Sequence, residues 1–267
     1  MFTEFDKKII QICNDHGNLV RKGGKRIAIA REICISQAHA DVCALLVDPK
    51  KEYEKNSPFY RFLLESATAV AIKLLRIRIH VTGMEKIPKN EKVLFVCNHR
   101  SNFDPLITWN ALRPWKIAFV SKPENFKVPF FGRIIRKCCF LPIDRENPRK
   151  AIVTINKAAK LLKEQEVSIC IYPEGTRSKT CQLLPFHNGV FKIAQKAETP
   201  IAVLSITGTE QISKKTPFQP TDVYLDVLEV FPTQGIKETK TEMIGTAVRH
   251  LIATNTEKRD AICPKDM

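Results

Sequence analysis

At 267 residues the chain is long enough to bury a real core as one α/β domain with an appendage, and 44% apolar with 27% charged residues excludes wholesale disorder. A formal charge of +15 fits either a generally basic, solvated surface or an anionic partner: an anionic lipid surface, a phosphorylated or CoA-like ligand, or nucleic acid. Zinc-finger spacing, an RNA-recognition signature and a basic heptad region are all missing, so nucleic acid ranks last and no nucleic-acid partner is expected. Nine cysteines, an odd number without C-x-x-C, point to reduced, buried thiols in a cytosolic compartment and away from a disulfide framework or metal site. Met1 to Lys8 does not read as a signal peptide, and no run of about 18 uncharged apolar residues supports a transmembrane helix.

In chain order, Lys25 to Val47 carries helical periodicity, with Ile29, Ile33, Val42 and Leu46 near one face, and Lys50 to Lys55 is a charged connector. Pro58 opens a helical stretch over residues 58–78. On a helical wheel Arg61, Glu65, Thr68 and Arg76 form one narrow polar stripe, and Phe59, Phe62, Leu63, Leu64, Val70, Ala71, Leu74 and Leu75 surround it. An arc this wide, with aromatics at one end and Lys73, Arg76 and Arg78 at the other, suits a helix lying in a membrane interface. Periodicity alone fits a core helix packed on a sheet equally well.

From Ile79 onward strands and helices alternate. Extended segments are predicted at residues 79–82, 93–97, 115–121, 139–143, 167–172, 201–206 and 223–230. Helices are predicted from Pro105 and over 150–164, 189–196 and 238–253, and residues 122–132 form a loop with a short helix. The alternation means a layered fold: α/β, a mixed sheet flanked by helices. The expected organisation is an N-terminal helical region over 1–78, partly membrane-interfacial, an α/β domain over 79–257 and a tail over 258–267.

Two strand ends carry the chemistry. Asn98-His99-Arg100-Ser101-Asn102-Phe103-Asp104 follows the apolar run Val93 to Cys97, and the loop can fold back to bring the Asp104 carboxylate to the His99 imidazole. A histidine held by an aspartate is a general base of fixed tautomer and raised basicity. Asp104 before Pro105 also reads as a helix N-cap, which is compatible with orienting His99. Tyr172-Pro173-Glu174-Gly175-Thr176-Arg177-Ser178 leaves a second strand, where α/β sheets place ligands. Gly175 permits close backbone approach, Arg177 offers a fork for phosphate or carboxylate, and Glu174 can hold an arginine or accept a hydroxyl proton. Arg145 follows Pro142-Ile143-Asp144 directly after a strand. His187 is a second possible base, set aside because no carboxylate lies near it in sequence. One His–Asp pair and two arginines at strand ends describe a site for an anionic substrate carrying a hydroxyl to be deprotonated. No G-x-S-x-G elbow or Walker loop is present, so direct attack by a substrate alcohol on a second substrate is favoured over a covalent intermediate.

His99-x4-Asp104, Pro142-Ile143-Asp144-Arg145, Glu174-Gly175-Thr176-Arg177 and Thr199-Pro200-Ile201-Ala202-Val203 resemble the four ordered blocks of the glycerolipid acyltransferase family, nearest in pattern to its 1-acylglycerol-3-phosphate acyltransferase branch. Lys122-Pro123-Glu124 and Val128-Pro129-Phe130-Phe131-Gly132 resemble the segment between its first two blocks, and the likeness covers roughly residues 79–232. The resemblance implies a glycerolipid acyltransferase-like fold with an N-terminal helical membrane-docking portion. It implies His99 as general base oriented by Asp104, with Arg145, Glu174, Gly175, Thr176 and Arg177 binding the glycerol phosphate. It further implies a lysophosphatidate-type lipid as acceptor, acyl-CoA or acyl-carrier protein as co-substrate, no metal or other cofactor, and an anionic membrane surface as partner. Peripheral or monotopic attachment at the cytoplasmic face of a membrane is expected. Another lysophospholipid or amino-lipid acceptor, or a non-catalytic anionic-lipid-binding module, are the alternatives. The chain departs from the family where Cys138-Cys139 stand in the region of a glycine usual before the second-block arginine; side chains there are expected to narrow the acceptor or acyl pocket.

Overall fold

The computed structural model describes residues 44–178, 180–216 and 218–262. The chain divides into two compact units, Met1–Leu46 and Val47–Met267, and the fold is that of the second. The helix expected over residues 25–47 lies almost wholly outside the described residues.

The elements are α1 (Pro58–Leu74), β1 (Ile77–Thr82), β2 (Leu94–Cys97), α2 (Asp104–Ala111), β3 (Ile117–Ser121), α3 (Phe131–Lys137), β4 (Leu141–Pro142), α4 (Pro148–Lys163), β5 (Ser168–Ile171), α5 (Lys192–Ala197), β6 (Ile201–Thr207), α6 (Ile212–Lys215), β7 (Thr221–Phe231), α7 (Thr233–Lys237) and α8 (Thr241–Ile262). The strands form one seven-stranded sheet in the order β1-β7-β6-β2-β5-β3-β4. Every neighbouring pair is parallel except β6 and β7, so the sheet is mixed, as expected.

β2 and β5 lie side by side near the centre, with Leu94 opposite Ile169 and Val96 opposite Ile171. Every residue of both strands is buried, which is why they read as unbroken apolar runs: parallel interior strands are covered on both faces. Because they run parallel, their outgoing loops emerge at the same edge of the sheet. Those loops are the His99–Asp104 and Glu174–Arg177 segments.

α4 covers one face with Ile155, Ala158, Ala159, Leu161 and Leu162, while Lys157, Lys160 and Lys163 do not enter the core. Its N-cap Asn147 accepts from the Lys150 N–H at 3.2 Å. Full burial of a side chain such as Leu162 contributes about 1.5–3 kcal/mol.

α8 runs to Ile262, beyond the 238–253 expected, and takes in the first residues assigned to a tail. Its polar second half shows no apolar period; ion pairs hold it in place. Arg259 donates to both oxygens of Asp226 on β7, at 2.8 and 2.5 Å, and Asp260 accepts from Arg100.

In α1 the polar stripe is turned inward at Arg61. Arg61 is 6% exposed, donates to the Ile117 carbonyl (3.1 Å) and to Asn56 Oδ1 (2.8 Å), and lies over the Trp109 ring at 4.7 Å. Phe59, Phe62 and Leu74 of the apolar arc are exposed. Among the described residues no helix is long and apolar enough to cross a membrane.

Cys138 and Cys139 are fully buried, and Cys139 belongs to the main hydrophobic core with Leu141 and Ile155. Cys139 follows α3 at φ +62°, the left-handed conformation a glycine takes without strain, with Phe140 N–H bonded to the Ile135 carbonyl as in a glycine-terminated helix. Both cysteines are packed in the interior. Burial pushes both up to about 12, so they stay protonated at neutral pH.

Candidate active site

His99 and Asp104 meet as the spacing predicts. Asp104 Oδ2 is 2.7 Å from His99 Nδ1 and also accepts the N–H groups of Arg100 and Ser101, each at 2.7 Å. Its other oxygen accepts the Thr209 hydroxyl at 2.5 Å. Asp104 is completely buried, so its charge is offset by four converging donors. The expected N-cap role does not hold: Asp104 is the first residue of α2, Phe103 stands before it, and no side-chain cap bond forms. Pro105 occupies the first turn, where its missing N–H would have no partner, and frees the carboxylate to serve the preceding loop.

With Nδ1 tied to the carboxylate, His99 Nε2 has no hydrogen-bond partner among the described residues and can accept a proton. The ring stacks on Tyr172 with centroids 4.4 Å apart, and the Tyr172 hydroxyl pairs with Thr108 Oγ1 at 2.9 Å. Burial holds the Tyr172 phenol well above its usual range, so it is a neutral platform. Asn98 exchanges two hydrogen bonds with Ile206 on β6, at 2.9 and 2.8 Å, fixing the point where the loop departs from β2.

Glu174 does not hold an arginine. One oxygen accepts the His99 N–H at 2.7 Å and the other the Leu184 N–H at 2.9 Å. It is a buried strut between the two strand-end loops and the segment leading to α5, and burial pushes its carboxyl up from the ordinary glutamate value. A further bond from Ser178 N–H to the His99 carbonyl (2.9 Å) closes the same junction.

Gly175 takes φ +71°, and the group that approaches it is His187. A methyl at Gly175 would stand 2.9 Å from His187 Cδ2, 3.0 Å from its Nε2 and 3.6 Å from Arg145 Cδ. The structure thus brings Arg145, Gly175 and His187 together from three segments. Thr176 and Arg177 are exposed on the same turn. Among the described residues neither they nor Arg145 makes a hydrogen bond or ion pair, which leaves two free guanidinium forks for an anion.

Sequence reasoning missed four contributors. Thr209 lies 105 residues from Asp104, and Asp260 lies 160 from Arg100; nothing local signals either contact. Tyr172 stood beside a motif with no apparent task. His187, which has no carboxylate near it in sequence, is brought against Gly175.

A central pair of parallel strands thus delivers, side by side, a histidine held by an aspartate and an arginine-bearing glycine turn. A family model described as Acyltransferase matches residues 78–207. The matched segment is an Acyltransferase domain. It is 38% identical over 127 residues to a 1-acyl-sn-glycerol-3-phosphate acyltransferase of Cocos nucifera, covering 47% of this chain and 41% of that protein. It is 30% identical over 165 residues to the enzyme of that name from Salmonella typhimurium, covering 62% of this chain and 66% of the relative. The chain spans about half the length of the plant relatives it matches. The crystal structure of the 1-acyl-sn-glycerophosphate (LPA) acyltransferase PlsC from Thermotoga maritima superposes with a TM-score of 0.66 at 25% identity, over 84% of this chain and 88% of that one.

Proposed function

We propose that this protein transfers a fatty acyl group from acyl-CoA or acyl-carrier protein to the free hydroxyl of 1-acylglycerol-3-phosphate, giving phosphatidate. The observation that carries the reading is the His99–Asp104 pair, 2.7 Å apart and stacked on Tyr172, beside unpaired Arg145 and Arg177. The names of the relatives support lysophosphatidate as acceptor.

In this scheme the acceptor phosphate lies against the arginines and its hydroxyl against His99 Nε2. As the hydroxyl oxygen attacks the thioester carbonyl carbon, its proton passes to Nε2, and Asp104 stabilises the imidazolium that forms. Collapse of the tetrahedral intermediate breaks the C–S bond, and the imidazolium returns the proton to the departing thiolate. The chemistry balances with the acyl donor as co-substrate and asks for no further cofactor.

The outward apolar residues of α1 and the charge of +15 support peripheral docking on the cytoplasmic face of an anionic membrane. The test uses the full chain with lysophosphatidate and either acyl-CoA or acyl-carrier protein, assayed for thiol release. Turnover that vanishes in His99→Ala supports the reading; absence of turnover with every glycerolipid acceptor and both donors overturns it.

A further inference from the structure

We infer that His187 is a substrate-binding residue that, with Arg145, recognises the terminal phosphate of a phosphomonoester acceptor and so selects it over phosphodiester lipids. The inference rests on the acyltransferase reading and adds a residue to its acceptor-phosphate site.

His187 is exposed, and its place is set by its backbone: its N–H donates to the Pro173 carbonyl at 2.9 Å, docking the segment on the turn that carries Gly175. The imidazole then packs on Gly175 so closely that a Cβ there would have to displace it. The same spot is 3.6 Å from Arg145 Cδ. Neither ring nitrogen of His187 has a hydrogen-bond partner among the described residues, and neither does the Arg145 guanidinium.

The surroundings offer no carboxylate to pair with the ring. The loop after β4 contributes Arg145, on which Glu124 acts electrostatically without forming an ion pair. The loop after β5 contributes Arg177 and Glu174, and both Glu174 oxygens are taken by backbone N–H groups. α8 contributes Arg249, bonded to the Leu183 carbonyl. The segment around His187, residues 182–191, contains no acidic residue. An imidazole in such a setting, with donors free, complements an anion brought by the substrate.

A phosphomonoester presents three terminal oxygens and up to two negative charges, enough for an arginine fork and an imidazole donor at once. A phosphodiester has two free oxygens and a single charge, and its alkyl substituent occupies the third direction. His187 therefore strengthens binding of the first class and adds little to the second.

The test compares wild type, His187→Gln and His187→Lys. For lysophosphatidate, His187→Gln raises KM about tenfold with kcat within about twofold, and His187→Lys recovers most of the loss. For lysophosphatidylglycerol, a phosphodiester, KM is the same in all three. Glycerol 3-phosphate binding, followed by calorimetry without any donor, weakens by the same factor in His187→Gln, and unchanged thermal unfolding excludes a folding defect. Equal KM and equal glycerol 3-phosphate affinity in wild type and His187→Gln overturn the inference and leave the acyltransferase reading intact. Weakened glycerol 3-phosphate binding in a protein that turns over no acceptor sustains the inference and removes the reading.

Discussion

Both oxygens of Asp260 accept from the Arg100 guanidinium, at 2.9 and 2.8 Å, joining the last turns of α8 to the residue that follows His99. Arg100 is buried, and Glu210 stands 3.7 Å from it on the other side. Asp260→Ala leaves a buried guanidinium with one poorer partner. The expected result is a fall in kcat of about tenfold with KM nearly unchanged, and a stability loss of about 1–3 kcal/mol by denaturant titration. An unaltered kcat would show that Asp260 only fastens the helix.

Asp104 allows its electrostatic and structural roles to be separated. Asp104→Asn keeps the shape and, with its oxygen in the place of Oδ2, the acceptor for His99 Nδ1 and the loop N–H groups, but it loses the negative charge that would stabilise a protonated His99. Turnover falls by on the order of 10²–10⁴-fold. Asp104→Ala strips the acceptor from four donors at a completely buried position and should unfold at markedly lower denaturant. The two variants are compared by thiol release and by urea midpoint.

Glu174→Gln tests the strut. An amide accepts one N–H and presents its NH2 to the other, placing donor against donor between His99 and Leu184. Stability falls by about 1–3 kcal/mol. Turnover falls with it because the strut ends on the backbone of His99. A variant with full activity and reduced stability would confine Glu174 to holding the loops.

Acid should loosen α8 before the sheet. Burial works to raise the Asp226 carboxyl, but hydrogen bonds from Arg259, Asn255 and Thr82 outweigh it and hold its pKa below the ordinary aspartate value. A depressed carboxylate contributes stability that is fully present above the unfolded pKa of about 3.9 and is lost as pH falls through the folded value. Asp226→Asn is therefore less stable than wild type at neutral pH and converges on it as pH falls below about 4. Urea midpoints measured against pH check this.

Phe59→Ser with Phe62→Ser removes two exposed aromatics from α1. Cosedimentation with anionic vesicles should drop by at least about tenfold. Thiol release with a short-chain, freely soluble lysophosphatidate should stay near wild type. Unchanged cosedimentation would move the docking surface elsewhere.

The parts of this fold legible in the sequence are those that local patterning dictates. β2 and β5 are short apolar runs ended by polar loops, and parallel burial leaves no other reading of them. The His99–Asp104 contact is also local, separated by one turn of chain. Illegible were contacts between distant segments: Thr209 with Asp104, Asp260 with Arg100, His187 with Gly175. The C-terminal half of α8 hid because ion pairs, not apolar period, hold it. The wheel for α1 found the polar stripe but not its direction. Arg61 shows why: a guanidinium facing a strand carbonyl and an indole is better satisfied inside than out.

That inward arginine also ties α1 to the frame that holds the His99–Asp104 pair. Arg61 reaches β3 through the Ile117 carbonyl and α2 through Trp109, and α2 begins with Asp104. The start of α1 is tied as well, through Ser57 N–H to the Lys137 carbonyl at the end of α3. α1 is therefore tied at both its start and its Arg61 to the elements beneath it, and one of those elements is the helix that begins with Asp104. One buried guanidinium thus links a helix with exposed aromatics to the carboxylate that holds the His99 ring.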